Sequence, residues 1–287
     1  MKTFNLFLAV LIPLISSIAN AQKLPNKQEV SLRAPADIKI DGNAIEWNNQ
    51  FQAYNRATEI FYTIANDNDN LYLVIHAIKS RIIEKMMEGG VSFTISGPNK
   101  KKAMVLFPLL SMNKARSILA SAGKRLSENM SVLNKQNQPE LLEKKTISQA
   151  NQDLVESLKE IKLDGINIVT DTVPNVNSET PYYRFLPMRD HHYKIIGINN
   201  ADNIKAMLQF DAEGNCTYEL AIPIKYIGIM ANDNQKIKYN ITINGRGADR
   251  RPNAIIRWTF TSPRVMLDED LEAATDLSGE YILAKKP

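Results

Sequence analysis

Apolar and polar residues alternate with a period of two through most of the chain, which is the pattern of half-buried β-strands. Two such runs, 59–64 and 71–77, flank the turn-forming cluster 66–70 and predict a hairpin. The runs 91–95 and 103–107 predict another. The same alternation predicts strands at 38–42, 166–169, 193–198, 205–210, 216–222, 236–244, 255–260 and 279–284.

The alternation stops between residues 113 and 162, where apolar residues recur at spacings of three and four, at Ile147, Ala150, Leu154, Leu158 and Ile161. This spacing is typical of one face of a helix. We predict a hairpin of two helices, the first capped by Asn113 and running to Glu128, the second starting near Pro139. The alternative is a partly ordered polar linker.

Many short strands joined by turns favour an all-β fold, an antiparallel β-sandwich with one hydrophobic core. The block 113–162 is then a helical insertion that packs on the sandwich. We therefore predict a single domain over residues 22–287, a length that one large sandwich can accommodate.

The N-terminal 21 residues have the features of a secretory signal peptide. Lys2 precedes an apolar run over 4–18, and Ala19-Asn20-Ala21 supplies a small-residue cleavage site. We expect cleavage before Gln22, export to the periplasm or the exterior, and no transmembrane segment afterwards. The alternative is an uncleaved anchor, for which the apolar run is short.

Net charge and cysteine content narrow the range of partners. The formal charge of +4 becomes +3 when Lys2 is lost (34 basic and 31 acidic residues remain), and no dense basic stripe occurs. This balance argues against a nucleic-acid partner. The single cysteine, Cys216, cannot form an internal disulfide, and its place in a predicted strand indicates a buried small hydrophobe.

Four segments, in this order along the chain, resemble the family 9 carbohydrate-binding modules. Residues 38–47 read Ile-Lys-Ile-Asp-Gly-Asn-Ala-Ile-Glu-Trp, 67–73 read Asp-Asn-Asp-Asn-Leu-Tyr-Leu, 218–223 read Tyr-Glu-Leu-Ala-Ile-Pro, and 279–283 read Gly-Glu-Tyr-Ile-Leu. The resemblance implies a carbohydrate-binding-module-like sandwich of the jelly-roll type and a carbohydrate or glycan ligand. Because members of the family carry calcium, it also allows a structural calcium ion, without an assigned position.

The chain departs from that family in its tryptophans. The sugar-binding members of the family that this chain resembles hold the sugar between two exposed Trp side chains. This chain has only two Trp in total. We predict that Trp47 fills a core and that Trp258, alternating with Ile256 and Phe260, lies in a strand. The sequence therefore does not predict the two-tryptophan clamp. Asn70 is expected to stabilise the turn before Leu71 through its side chain.

The long irregular stretch between residues 172 and 190 is the leading candidate for a ligand surface. It carries aromatic and basic side chains stiffened by Pro181 and Pro187, namely Tyr182, Tyr183, Arg184 and Phe185. Aromatic rings can stack on the apolar face of a sugar, and prolines reduce the entropy lost when such a surface is held in place. The alternative is that this segment packs over an open end of the sandwich or over the insertion.

Arg246 and Arg250 form a second candidate, in a loop around Gly245 and Gly247 that could bind an anionic group or an acidic glycan. The glycine, lysine and serine spacing of a phosphate-binding loop is absent. The alternative is a solvated loop with local salt bridges.

No metal site, cofactor or catalytic residue is predicted. His191 and His192 are neighbours, so on a strand they would point to opposite faces, and the sequence has no hydrolase signature. The leading hypothesis is a non-enzymatic binding protein. The alternatives are an interaction module that uses the helical insertion and, third, a sandwich-based hydrolase with His191 or His192. The sequence does not predict an oligomeric state.

Overall fold

A computed structural model of the chain describes residues 23–97, 101–123, 147–170, 193–228, 236–245 and 270–285. The predicted signal peptide and the predicted strand at 255–260, with Trp258, lie outside these ranges. Within them, the chain forms eleven strands and three α-helices, and the helices lie between the third and the sixth strand.

The strands form two antiparallel sheets. The front sheet has the order β1-β2-β3-β9-β8, with strands Ala53–Asn55, Ile60–Asn66, Asn70–Ala77, Cys216–Pro223 and Lys205–Phe210. The back sheet has the order β11-β10-β4-β5-β6-β7, with strands Thr275–Ile282, Lys236–Ile243, Val91–Ser96, Lys102–Phe107, Glu160–Asp164 and Lys194–Gly197. Every neighbouring pair of strands is antiparallel.

One hydrophobic core lies between the two sheets. Strand β4 buries Val91, Phe93 and Ile95 and leaves the residues between them partly exposed, so its period of two places one face inward. The layers also meet through a hydrogen bond between the Tyr62 and Tyr239 hydroxyls, 3.0 Å apart. The predicted all-β, antiparallel β-sandwich with one core is confirmed.

The three α-helices are α1 (Ser80–Gly89), α2 (Met112–Ser121) and α3 (Ile147–Ser157). Helix α1 is not predicted from the sequence, and it lacks a side-chain cap at its start. The predicted cap at Asn113 is wrong: Ser111 is the N-cap, and its hydroxyl accepts from the Lys114 backbone N–H at 3.4 Å. Asn113 lies inside the helix, one residue beyond its first position.

Helix α3 is fixed to the sandwich by both apolar and polar contacts. Ala150 and Leu154 are buried in the shared core, as their spacing predicted. On the same helix, the Asn151 amide donates to the Phe210 carbonyl and accepts from the Phe210 N–H, both at 2.8 Å. These described turns are therefore part of the packed fold rather than a linker.

The strand predicted at 166–169 is misplaced. The strand in this region is β6, whose inward residues Ile161 and Leu163 are fully buried. Ile161 falls at helical spacing after Leu158, so the sequence pattern continued the helix across a boundary that the structure places after Ser157. Strand β6 consequently begins inside the range predicted for the insertion.

The strand predicted at 38–42 is also wrong, because residues 38–40 belong to neither sheet. They cross the outer face of the front sheet, and the expected turn at Asp41-Gly42 follows them. Their alternation reflects burial of Ile38 and Ile40 against that face, while Lys39 is exposed. A single apolar surface beneath an irregular segment can therefore give the same pattern as a strand.

Candidate functional site

The N-terminal segment 32–51 lies on the outer face of the front sheet and forms a second, smaller apolar cluster there. We call this the outer cluster; its buried members are Ala44, Trp47, Ala65, Tyr72, Val74 and Ala221. Trp47 is only 6% exposed, which confirms the prediction that it fills a core. The outer cluster fixes the path of the segment across the sheet.

Glu219 ties this segment to the centre of strand β9. Its Oε2 accepts from the backbone N–H groups of Asp41 (3.0 Å) and Gly42 (2.9 Å), and its Oε1 accepts from Trp47 Nε1 (3.3 Å). We call these four residues the Glu219 clamp. Gly42 has a φ of 87°, and a Cβ there would lie 2.8 Å from the Gln209 side chain, so glycine is required.

Burial raises the pKa of Glu219 to about 7, against the opposing effect of the three donors. The side chain is fully buried, and all three neighbours donate, which favours the ionised form.

The free energy of unfolding should therefore depend on Glu219 between pH 4.5 and 7. Because the folded-state pKa lies above the ordinary value of 4.5, the folded protein binds the extra proton in this window. The contribution of Glu219 to the free energy of unfolding is then at its maximum below pH 4.5. It falls by about 3 kcal/mol as the pH rises from 4.5 through 7. Urea denaturation should show that the free energy of unfolding falls less between pH 5 and pH 8 in Glu219→Gln than in the unmodified protein. An equal fall in the two proteins would contradict this prediction.

A turn beside the clamp is built around the Asp67 carboxylate. Its Oδ1 accepts from the Asp69 and Asn70 backbone N–H groups at 2.7 and 2.6 Å, and its Oδ2 accepts from the Tyr72 hydroxyl at 2.6 Å. The turn is therefore stabilised by Asp67 rather than by Asn70, whose side chain instead contacts the Tyr72 hydroxyl. These bonds lower the pKa of Asp67 although burial opposes them.

The closing segment of the resemblance anchors the start of the N-terminal segment. The Tyr281 hydroxyl donates to the Leu32 carbonyl at 2.9 Å and lies 3.0 Å from Asn66 Oδ1. Gly279 lies opposite Tyr239, and a Cβ at this position would overlap the Tyr239 hydroxyl. The conspicuous glycine and tyrosine of this strand thus serve packing.

An open groove of about 820 Å³ lies between the N-terminal segment and the end of the front sheet. We call it the front groove. It is lined by Ile38, Lys39, Ile40, Asn68, Asp69, Asn70, Tyr72, Asn203, Lys205, Ala221, Pro223, Ile224 and Lys225. The lining combines an apolar floor with amide, carboxylate and ammonium groups.

Strand register explains how distant residues meet in the front groove. Lys205 pairs with Ala221, which pairs with Tyr72, so the three side chains form one row across β8, β9 and β3. Side chains in such a row share one face and lie within contact distance. The Ile224 N–H donates to the Asp69 carbonyl at 2.7 Å, which joins the end of β9 to the Asp67 turn.

A set of aromatic side chains lies farther along the same sheet face, beyond the Glu219 clamp. His76 stacks on Phe51 with ring centroids 5.3 Å apart, and Tyr54 contacts Phe61 at 4.6 Å. All four are half-buried. His76 Nδ1 lies 3.1 Å from the Thr217 hydroxyl, and desolvation lowers the pKa of His76. These contacts are satisfied among themselves, so this surface offers fewer free polar groups than the front groove.

The residues predicted from sequence to contact a ligand lie outside the described part of the chain. This applies to Tyr182, Tyr183, Arg184, Phe185, Arg246 and Arg250, and also to His191 and His192. Their roles stay predictions. The sequence does not predict the front groove, because Lys39 and Lys205 lie far apart along the chain and only the fold brings them together.

Other features of the described residues add little to the site. Cys216 is buried, as predicted, and burial raises the pKa of its thiol. Where side chains are described, no group of three or more His, Cys, Asp or Glu could hold a metal ion. The described helices include none long and apolar enough to cross a membrane. No protein-family model, curated protein or solved structure matches the chain.

Proposed function

We propose that the chain is an exported, non-catalytic β-sandwich protein that binds a carbohydrate or glycan in the front groove. The observation that carries this proposal is the groove itself: about 820 Å³, open to solvent, and lined by both polar and apolar side chains. Its volume falls in the range of small-molecule sites.

The lining suits a ligand with many hydroxyl groups. Asn68, Asn203 and Lys205 can donate hydrogen bonds to hydroxyl oxygens, and Asp69 can accept from hydroxyl hydrogens. The partly exposed side chains of Ile38 and Ile40 can cover the C–H face of a pyranose ring. A rigid sheet floor keeps these groups in place before binding, which reduces the entropy lost on association.

The resemblance to family 9 carbohydrate-binding modules supports the same class of function and a jelly-roll arrangement of strands. Two of its segments, 38–47 and 218–223, meet in the Glu219 clamp. The clamp holds Ile38 and Ile40 where they form one wall of the front groove. In this proposal the family-like segments both build the site and supply groups that contact the sugar, among them Asn68 and Asp69.

A glycan array that contains neutral and acidic saccharides should identify at least one ligand for the mature protein. For that ligand, the double variant Asn203→Gly and Lys205→Ala should bind about tenfold more weakly by calorimetry, because two polar contacts are lost. Glycine suits position 203, where φ is 57°. Both side chains are exposed, so the fold should be unaffected.

Lys238→Ala is the matched control, since Lys238 is an exposed lysine on the outer face of the back sheet. It should bind like the unmodified protein. A saccharide that binds equally to all three proteins would show that the front groove is not its site. Failure of every saccharide on the array to bind would contradict the proposed function.

A further inference from the structure

We infer that the saccharide is anionic, carrying carboxylate or sulfate groups; this inference rests on the proposed function. Lys39, Lys205 and Lys225 line the front groove, against the single lining carboxylate of Asp69. The lining residues therefore carry a formal charge of +2 (three lysines and one aspartate), and all four side chains are exposed to solvent.

The three lysines come from separate elements that converge on the groove. Lys39 lies in the N-terminal segment, Lys205 begins β8, and Lys225 lies in the short 3-10 turn that follows β9. They are therefore not one charged face of a single strand. A fourth cation, Arg33, donates from Nη2 to Asn68 Oδ1 at 3.0 Å and adds positive charge beside the lining.

Two further carboxylates near the groove are engaged by hydrogen-bond donors. Asp67 accepts two backbone N–H groups and the Tyr72 hydroxyl. Asp202 accepts the Val169 N–H at 2.9 Å, the Thr170 N–H at 2.7 Å and the Tyr226 hydroxyl. Both keep their negative charge, but their oxygens are directed to protein donors and neither lines the groove. Asp69 is thus the carboxylate that a ligand would meet.

Ammonium groups at an open groove favour anions through charge-assisted hydrogen bonds and through attraction that salt screens. Each exposed pair contributes modestly, so we expect about a threefold change in affinity for each lysine rather than complete loss. Lysine is a point charge and does not demand the planar geometry of a carboxylate. Carboxylated and sulfated saccharides are therefore both suitable, and the test distinguishes them.

The test uses two matched pairs of probes with the full mature protein. One pair is a galacturonic acid oligosaccharide and its methyl ester, and the other is a dextran oligosaccharide with and without sulfate. The inference predicts that at least one acidic member binds about tenfold or more tightly than its neutral partner at low salt. The ratio of the two affinities should decrease as salt is raised from about 20 to about 300 mM, because salt screens the attraction between exposed charges.

The variant Lys205→Gln should lose about threefold in affinity for the preferred acidic probe and reduce its salt dependence, whereas Lys238→Gln should change neither. The pair that shows the preference identifies carboxylate or sulfate as the recognised group. Equal binding of acidic and neutral members, or equal effects of the two variants, would overturn the inference while leaving saccharide binding intact. If none of these four probes binds, the acidic ligands from the glycan array take their place. An array that yields only neutral ligands would overturn the anionic preference but not the proposed saccharide binding.

Discussion

Replacing Glu219 by alanine is expected to lower the free energy of unfolding by about 3 kcal/mol, measured by urea denaturation at pH 7. The side chain is fully buried and accepts from three donors, two of which are backbone N–H groups of Asp41 and Gly42. Its removal leaves those donors without a partner inside the protein and opens a cavity beneath Trp47. The N-terminal segment should detach from the front sheet first.

Glu213→Ala is the control for this substitution. Glu213 is an exposed carboxylate in the turn between β8 and β9, six residues from Glu219. Its removal should change stability by no more than about 0.5 kcal/mol. Similar midpoints for the two variants would mean that the Glu219 clamp contributes little, and the wall of the front groove would then need another explanation.

Gly165→Ala should be about as damaging, with an expected loss of about 3 kcal/mol. Gly165 follows β6 with a φ of 68°, a conformation that alanine adopts only with strain. An added Cβ would also overlap the carbonyl oxygen of Lys102 at the start of β5. Both penalties arise because β6 ends here, immediately beside the neighbouring strand.

Gly123→Ala separates the two contributions. Gly123 has nearly the same φ, 70°, but a Cβ there would meet none of the described residues within 4 Å. It should therefore lose only about 1 kcal/mol, the penalty for the backbone conformation alone. Equal losses in chemical denaturation would argue that Gly165 does not approach β5 closely.

The strands that the sequence predicted well are those whose pairing is local. The hairpins β2–β3, β4–β5 and β8–β9 pair neighbouring runs that the alternation predicts as strands. Burial of Trp47 was predicted from its size alone. In each case the evidence lies within a few residues.

What could not be predicted depends on contacts between distant parts of the chain. Residues 38–40 alternate like a strand, but contacts with Glu219 and with the outer cluster, both formed by distant parts of the chain, place them across a sheet face instead. The front groove likewise combines Tyr72 and Lys205, which the β3–β9–β8 register brings together, with Lys39, which the N-terminal segment carries across the sheet. Period-two patterning reports burial of one face but not which surface covers it.

The most direct test of the account is to locate a bound saccharide by methyl NMR on protein labelled at isoleucine, using the ligand identified on the array. Ile38, Ile40 and Ile224 line the front groove, whereas Ile282 lies on the outer face of the back sheet. The account predicts dose-dependent shifts of the three groove methyls and an unchanged Ile282 signal. Unchanged groove methyls in the presence of saturating, binding saccharide would contradict it.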